Sequence, residues 1–162
     1  MSYKYEEPQA LNSVADFHRI FKLPILAKPN VPHEDRCKLR INLLQEELDE
    51  LKDAIKAKDI TEIADALADI QYVLSGAILE FGLGDHFKRL FDEVQRSNMS
   101  KVCDNLKDAE DTIAFYRSKD GTEGYIEESD GKFMVYRQAD HKVLKSVNYS
   151  AADLDSVLLM EP

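Results

Sequence analysis

The sequence contains no tryptophan and only two cysteines, Cys37 and Cys103. Two thiols cannot build a disulfide framework or supply a structural zinc site, and neither belongs to a Cys-x-x-Cys pair. A reduced, cytoplasmic protein is therefore expected. No apolar run approaches the roughly 20 residues that a membrane-spanning helix needs, and Met1 to Pro8 lack the apolar core of a secretory signal. Basic residues are in deficit, with 21 Lys and Arg against 31 Asp and Glu, a formal charge of −10. A nucleic-acid binder needs a positive footprint to meet phosphates, so neither nucleic acid nor a membrane is expected as a partner. A free nucleotide stays open, because divalent cations can carry its phosphates to an acidic site.

The 162 residues are 44% hydrophobic and 32% charged, enough for one domain with its own core. Val14, Phe17, Ile20 and Phe21 recur at helical spacing, giving a first helix capped by Asn12 or Ser13 and running to about Lys22. Pro24, Pro29 and Pro32 then forbid helix and make an ordered connector. A second helix is expected from His33 to Lys58, with Leu44, Leu48, Leu51 and Ile55 as its apolar stripe. After a break at Asp59–Thr61, a third runs to Phe81 with Ile63, Leu67, Ile70, Leu74, Ala77 and Phe81 facing inward. Gly82-Leu-Gly84 ends it. Asp85 can cap a fourth helix to Lys101, with Phe87, Leu90, Phe91 and Val94 inward. The short links imply antiparallel neighbours, hence an all-α, antiparallel four-helix bundle.

The pattern changes after Lys101. A charged stretch, Asp104 to Asp111, suits a helix. Two alternating segments flank Asp130-Gly131, the signature of a β-hairpin over about 122–137. Ala151 to Leu159 reads as a short terminal helix. The expected organisation is a helical core, 1–101, and a C-terminal extension, 102–162, packed on the same domain.

Acidic residues then draw attention. Glu46 and Glu50 lie about 40° apart around the second helix, with Glu47 about 60° beyond Glu50. On the third helix Glu62, Asp65 and Asp69 fall within about 60° of each other. An acidic face is usually a solvated face. Here Lys52, Lys56 and Lys58 cannot neutralise all of these acids, and the third helix is otherwise apolar. If the two helices pack antiparallel, the clusters converge, and hard divalent cations would offset the repulsion. Asp65, Asp69, Tyr72 and Gly76 also form one stripe, suited either to a nucleotide groove or to packing against another helix. On the fourth helix the apolar row continues to Asn98 and Lys101, within a run of donors suited to phosphate oxygens.

These residues resemble the all-α nucleoside triphosphate pyrophosphohydrolases, the MazG-like group related to phosphoribosyl-ATP pyrophosphohydrolase and the dimeric dUTPases. Glu46-Glu47-Leu-Asp-Glu50 is similar to that group's Glu-Glu-x-x-Glu motif, and Glu62-Ile-Ala-Asp65 to its Glu-x-x-Asp motif. Phe91 to Lys101 and the tail His141 to Leu154 resemble one bacterial and phage branch. The stretch from Val102 to Ala139 departs from it by its length. The resemblance implies Glu47, Glu50, Glu62 and Asp65 as ligands of Mg²⁺ or Mn²⁺, and Glu46 as the residue that handles the attacking water. It places Asn98, Lys101, Lys145 and Asp69 on the substrate. It implies hydrolysis of a non-canonical or deoxynucleoside triphosphate to monophosphate and pyrophosphate, by a homodimer or homotetramer. A di-iron carboxylate bundle would need Glu-x-x-His motifs, and no histidine here has glutamate three residues before it. A non-catalytic nucleotide-binding or interaction module is the alternative.

Overall fold

The computed structural model describes residues 4–160. Among them, six helices and one small sheet follow in the order α1 (Ala10–Ile20), α2 (Glu34–Ala57), α3 (Ile60–Glu80), α4 (Phe87–Met99), α5 (Leu106–Asp120), β1 (Gly124–Ser129), β2 (Lys132–Arg137) and α6 (Leu154–Leu159). The chain forms two compact units, one up to Phe87 and one from Lys88, whereas the sequence suggested a boundary after Lys101. The first unit accordingly holds three helices rather than the expected four.

In the first unit α3 is the central helix, packed on both α1 and α2. Both pairings are antiparallel. Arg40, near the start of α2, reaches Glu80 at the end of α3, and Phe17 on α1 meets Tyr72 on α3 with ring centroids 5.6 Å apart. Helix α2 begins at the cap His33 and ends at Lys58 in a left-handed conformation. Helix α3 begins at Asp59, whose carboxylate accepts the Thr61 and Glu62 amides, a standard N-cap. Helix α1 starts earlier than expected, at Ala10, and its cap Gln9 makes no side-chain bond.

The proline-bearing connector is pinned to the end of α3. The Leu26 amide donates to the Leu79 carbonyl and the Asn30 amide to the Phe81 carbonyl, each at 3.0 Å. Gly82 makes this closeness possible. Its φ is +69°, and a Cβ there would stand 2.0 Å from the Lys28 carbonyl oxygen, so only glycine fits.

Small residues occupy the helix contacts of this unit: Ala54, Ala66, Ser75 and Gly76 are buried. The larger stripe residues Leu48, Ile55, Leu67 and Leu74 are exposed, contrary to the sequence expectation. Helices that approach through small side chains push large ones outward, and three helices cannot cover all of one another's faces.

The second unit is built on α5 and the hairpin. Asp130 and Gly131 both have positive φ, the twist that a two-residue hairpin needs. The strands pair antiparallel from Gly124–Arg137 to Ser129–Lys132. The backbone of Cys103 bonds Phe133, and the Leu144 amide donates to the Val135 carbonyl. Cys103, Ala109, Val135 and Leu144 form the buried core, with Ile113, Tyr116, Ile126 and Phe133 against it. Helix α4 is tied to the tail. Ser97 Oγ lies 2.9 Å from the Tyr149 hydroxyl, and Arg96 donates to Ser150 Oγ and the Ala151 carbonyl. Its buried residue is Ser97, while Phe91, Val94 and Asn98 are exposed. The expected inward row on this helix is therefore not the buried one, because polar bonds to the tail set its orientation.

Candidate active site

The antiparallel α2–α3 pair brings the two acidic clusters toward each other. Glu47 is the residue that records it. One of its carboxylate oxygens, Oε2, is shut off from solvent and has no hydrogen-bond partner. Its carboxyl is pushed up from the ordinary value, first by burial and then by the charges of Glu50, Asp69, Glu46 and Asp65. Four of the acids named from sequence therefore act on Glu47, two from its own helix and two from α3.

The other acids are open to water. Glu46, Glu50, Glu62, Asp65 and Asp69 are all exposed, although the apolar character of α3 had suggested that its acids face something else. Among the described residues none of the six has an ion-pair partner, and Lys52 is taken by Asp49 at 2.7 Å. Nor do three or more of them stand close enough, among the described residues, to form a ready cage for a metal ion. The donor chemistry nonetheless fits a hard divalent cation. All the candidate ligands are carboxylates, exposed side chains can rotate inward, and Mg²⁺ takes few carboxylates besides substrate oxygens and water. The Glu47 oxygen without a partner is the feature that a cation would satisfy.

At its Gly76 end the stripe through α3 serves packing. An added Cβ at Gly76 would lie 2.7 Å from Arg40 Nη1 and 3.0 Å from His18 Nε2, so this glycine admits a neighbouring side chain. Tyr72 remains partly exposed beside Phe17, whose ring is tilted against that of Phe21 with centroids 4.3 Å apart. These aromatic rings lie one helical turn beyond Asp69.

Beneath this region is a buried polar network that the sequence did not reveal. Glu80 has no exposed surface and accepts from Arg36 and Arg40. Burial pushes its carboxyl up, but the hydrogen bonds from Arg40 and then Arg36 outweigh burial and hold it below the ordinary value. His18 Nδ1 lies 2.9 Å from the Pro24 carbonyl oxygen. A carbonyl only accepts, so Nδ1 carries the hydrogen and Nε2 faces Arg40 Nη2 at 3.3 Å. The readable signal was an acid inside an apolar run, Leu79-Glu80-Phe81, facing two arginines spaced i, i+4 on the preceding helix.

Asn98, Lys101 and Lys145 belong to the second unit. Lys101 Nζ donates to Asn98 Oδ1 at 2.7 Å, so these two residues are brought together. Lys145 Nζ sits 4.2 Å from the centre of the Tyr149 ring.

Two neighbouring helices, α2 and α3, thus carry carboxylates that act on one another. The family model of phosphoribosyl-ATP pyrophosphohydrolase matches residues 14–98, more than half of the 162. The chain belongs to that family, within the MazG-like nucleoside triphosphate pyrophosphohydrolases. The matched stretch includes all six acids and Asn98 and stops before Lys101 and Lys145. An uncharacterised protein of Acanthamoeba polyphaga mimivirus is 28% identical over 122 residues, covering 68% of this chain and 48% of that protein. The chain thus spans about half the length of that relative.

Proposed function

We propose that this protein hydrolyses a nucleoside triphosphate, of a non-canonical or deoxy type, to the monophosphate and pyrophosphate in the presence of Mg²⁺ or Mn²⁺. The observation that carries this reading is the buried, partnerless Oε2 of Glu47 with Glu50, Asp65 and Asp69 acting on it from two helices. Glu47, Glu50, Glu62 and Asp65 would hold the cation. When bound, it neutralises the phosphates and makes water more acidic.

The chain's own residues then divide the work. Glu46, exposed next to Glu47, accepts a proton from the water that attacks the α-phosphorus. The new oxygen–phosphorus bond forms as the bond from the α-phosphorus to the bridging oxygen breaks. The charge gathering on the departing pyrophosphate needs fixed cationic donors. By the resemblance, Lys101, bonded to Asn98, is the proposed donor. Asp69 would sit at the edge of the site, toward the nucleoside. The exposed faces of Phe17 and Tyr72 offer a surface for a base.

Incubation with a panel of canonical and modified nucleoside triphosphates and Mg²⁺, followed by product analysis, tests this. Monophosphate with pyrophosphate is expected. Diphosphate with orthophosphate would refute the proposed bond cleavage. One observation favours a second reading, a nucleotide-binding module without turnover: no three acids stand within cage distance among the described residues. Calorimetric binding of a nucleotide without any product from the panel would select it.

A further inference from the structure

The residues from Val102 to Ala139 lie beyond the part of the chain that the family model matches. Helix α5, inside that stretch, carries Phe115, Tyr116 and Lys119 on one flank. Together with Lys145, Val147 and Tyr149 of the tail they line a cavity of about 400 Å³, within the usual range of small-molecule sites.

Its chemistry runs against the composition of the protein. In a chain of formal charge −10, this lining contains two ammonium groups and no carboxylate. Among the described residues neither lysine has an ion-pair partner. Asp120, next in the chain to Lys119, accepts from the Thr122 amide, with the charge of Lys119 acting on it only secondarily. Lys119 Nζ lies 5.7 Å and 5.8 Å from the Phe115 and Tyr116 ring centres. Lys145 stands over Tyr149, whose hydroxyl is held below its ordinary value by Ser97 first, with the charge of Lys145 assisting. The wall is fixed before any ligand arrives. The Lys145 amide donates to the Tyr116 hydroxyl at 3.3 Å and the Val147 amide to Thr112 Oγ1 at 3.0 Å, and Thr112 is fully buried.

We infer that this pocket is a nucleotide site of its own, taking a nucleoside monophosphate with its base against the exposed Phe115 ring, which stands edge-to-face with Tyr116, and its phosphate between Lys119 and Lys145. Aromatic faces alone would suit any flat molecule. Two ammonium groups without an ion-pair partner among the described residues suit a doubly charged anion as well, and a nucleoside monophosphate joins the two features. Binding needs no divalent cation and none of the carboxylates of the first unit. It gives Lys145 a phosphate-binding partner, Lys119, that no motif indicated. The inference does not rest on hydrolysis.

Titration calorimetry of the full chain in EDTA, with each of four nucleoside monophosphates, tests it. At least one binds saturably and at least tenfold more tightly than inorganic phosphate or its own nucleoside. Lys119→Ala and Phe115→Ala, each verified as folded by circular dichroism, weaken it at least tenfold. Glu50→Gln leaves it unchanged, which separates this site from the acidic one. The inference is overturned if no monophosphate binds, or if both pocket variants bind like wild type. It is equally overturned if inorganic phosphate binds as tightly as the nucleotide, or if Glu50→Gln abolishes binding.

Discussion

Arg40 and Glu80, forty residues apart, form an ion pair from which solvent is excluded at both ends, with side-chain exposures of 8% and 0%. Arg36 completes the neutralisation from the same face of α2. Taking out one partner of such a pair leaves an uncompensated buried charge, which costs about 3–5 kcal/mol. Glu80→Ala is therefore expected to lower the unfolding free energy by about that amount, measured by urea titration. Gly76→Ala is expected to be destabilising as well, because its Cβ would meet the same guanidinium at 2.7 Å.

Glu47→Gln separates the cost of the site from its use. Removing the charge from a partly buried carboxylate crowded by four others relieves repulsion, so the metal-free variant should be more stable than wild type. Mg²⁺ should raise the melting temperature of wild type and leave the variant unmoved, in scanning fluorimetry at matched ionic strength. Turnover should fall at least a hundredfold, of the order expected when a metal ligand's charge is lost. Unchanged turnover would remove Glu47 from the ligand set.

Glu93 fastens the tail to α4. Arg96 donates to both its oxygens at 2.7 Å, and the Asp153 amide adds a bond at 2.8 Å. These bonds, Arg96 first, hold its carboxyl at about 2 instead of 4.5. A depressed acid stabilises the folded state above its unfolded value and loses that contribution as pH falls through the folded value. Amide protection of residues 150–159, corrected for the intrinsic pH dependence of exchange, should therefore hold at pH 5 and fall as pH drops from 4.5 toward 2. In Glu93→Gln, protection of the same amides should be low throughout and lack this pH step.

The extents of α2 and α3 were legible from sequence to within two or three residues, because capping residues and glycine punctuate long periodic segments. The hairpin was legible from Asp130-Gly131 alone. Helix α5 was half seen: its sequence alternates charged and aromatic residues without a clean stripe, and it extends to Asp120, beyond the Asp111 read from sequence. What periodicity could not show was which stripe is buried. Ala66 and Gly76 face neighbouring helices while Leu67 and Leu74 do not, since close helix approach selects small residues, and hydrophobicity does not rank them first. The acids were legible as a cluster, but the distinction of Glu47 was not. It arises from which carboxylate the neighbouring helix covers, a property of packing. Glu80 was marked only as an acid in an apolar run; its pairing was not legible, as its arginine partners lie 40 and 44 residues away.

The exposed large residues give a prediction about assembly. Ile41 and Ile55 on α2 are 66% and 56% exposed, and Leu67 on α3 is 52% exposed. These residues lie on two adjoining helices, and the resemblance implied a dimer or tetramer. Sedimentation velocity at micromolar concentration should show an assembly larger than one chain. Ile41→Glu with Ile55→Glu should shift it to the monomer while the helical circular dichroism signal is kept. A wild-type protein sedimenting as a monomer would contradict this.

The tip of the hairpin offers a practical handle. A Cβ at Gly131 would meet nothing within 4 Å, and the turn is set by two left-handed residues rather than by contacts. Cys103 is buried and Cys37 half-buried, so a cysteine introduced at Asp130 would be the most accessible thiol among the described residues. A dye attached there would sit at the end of the strand pair whose other end adjoins the tail. Its fluorescence could then follow events on the second unit in real time, under conditions where the carboxylates of the first unit give no optical signal.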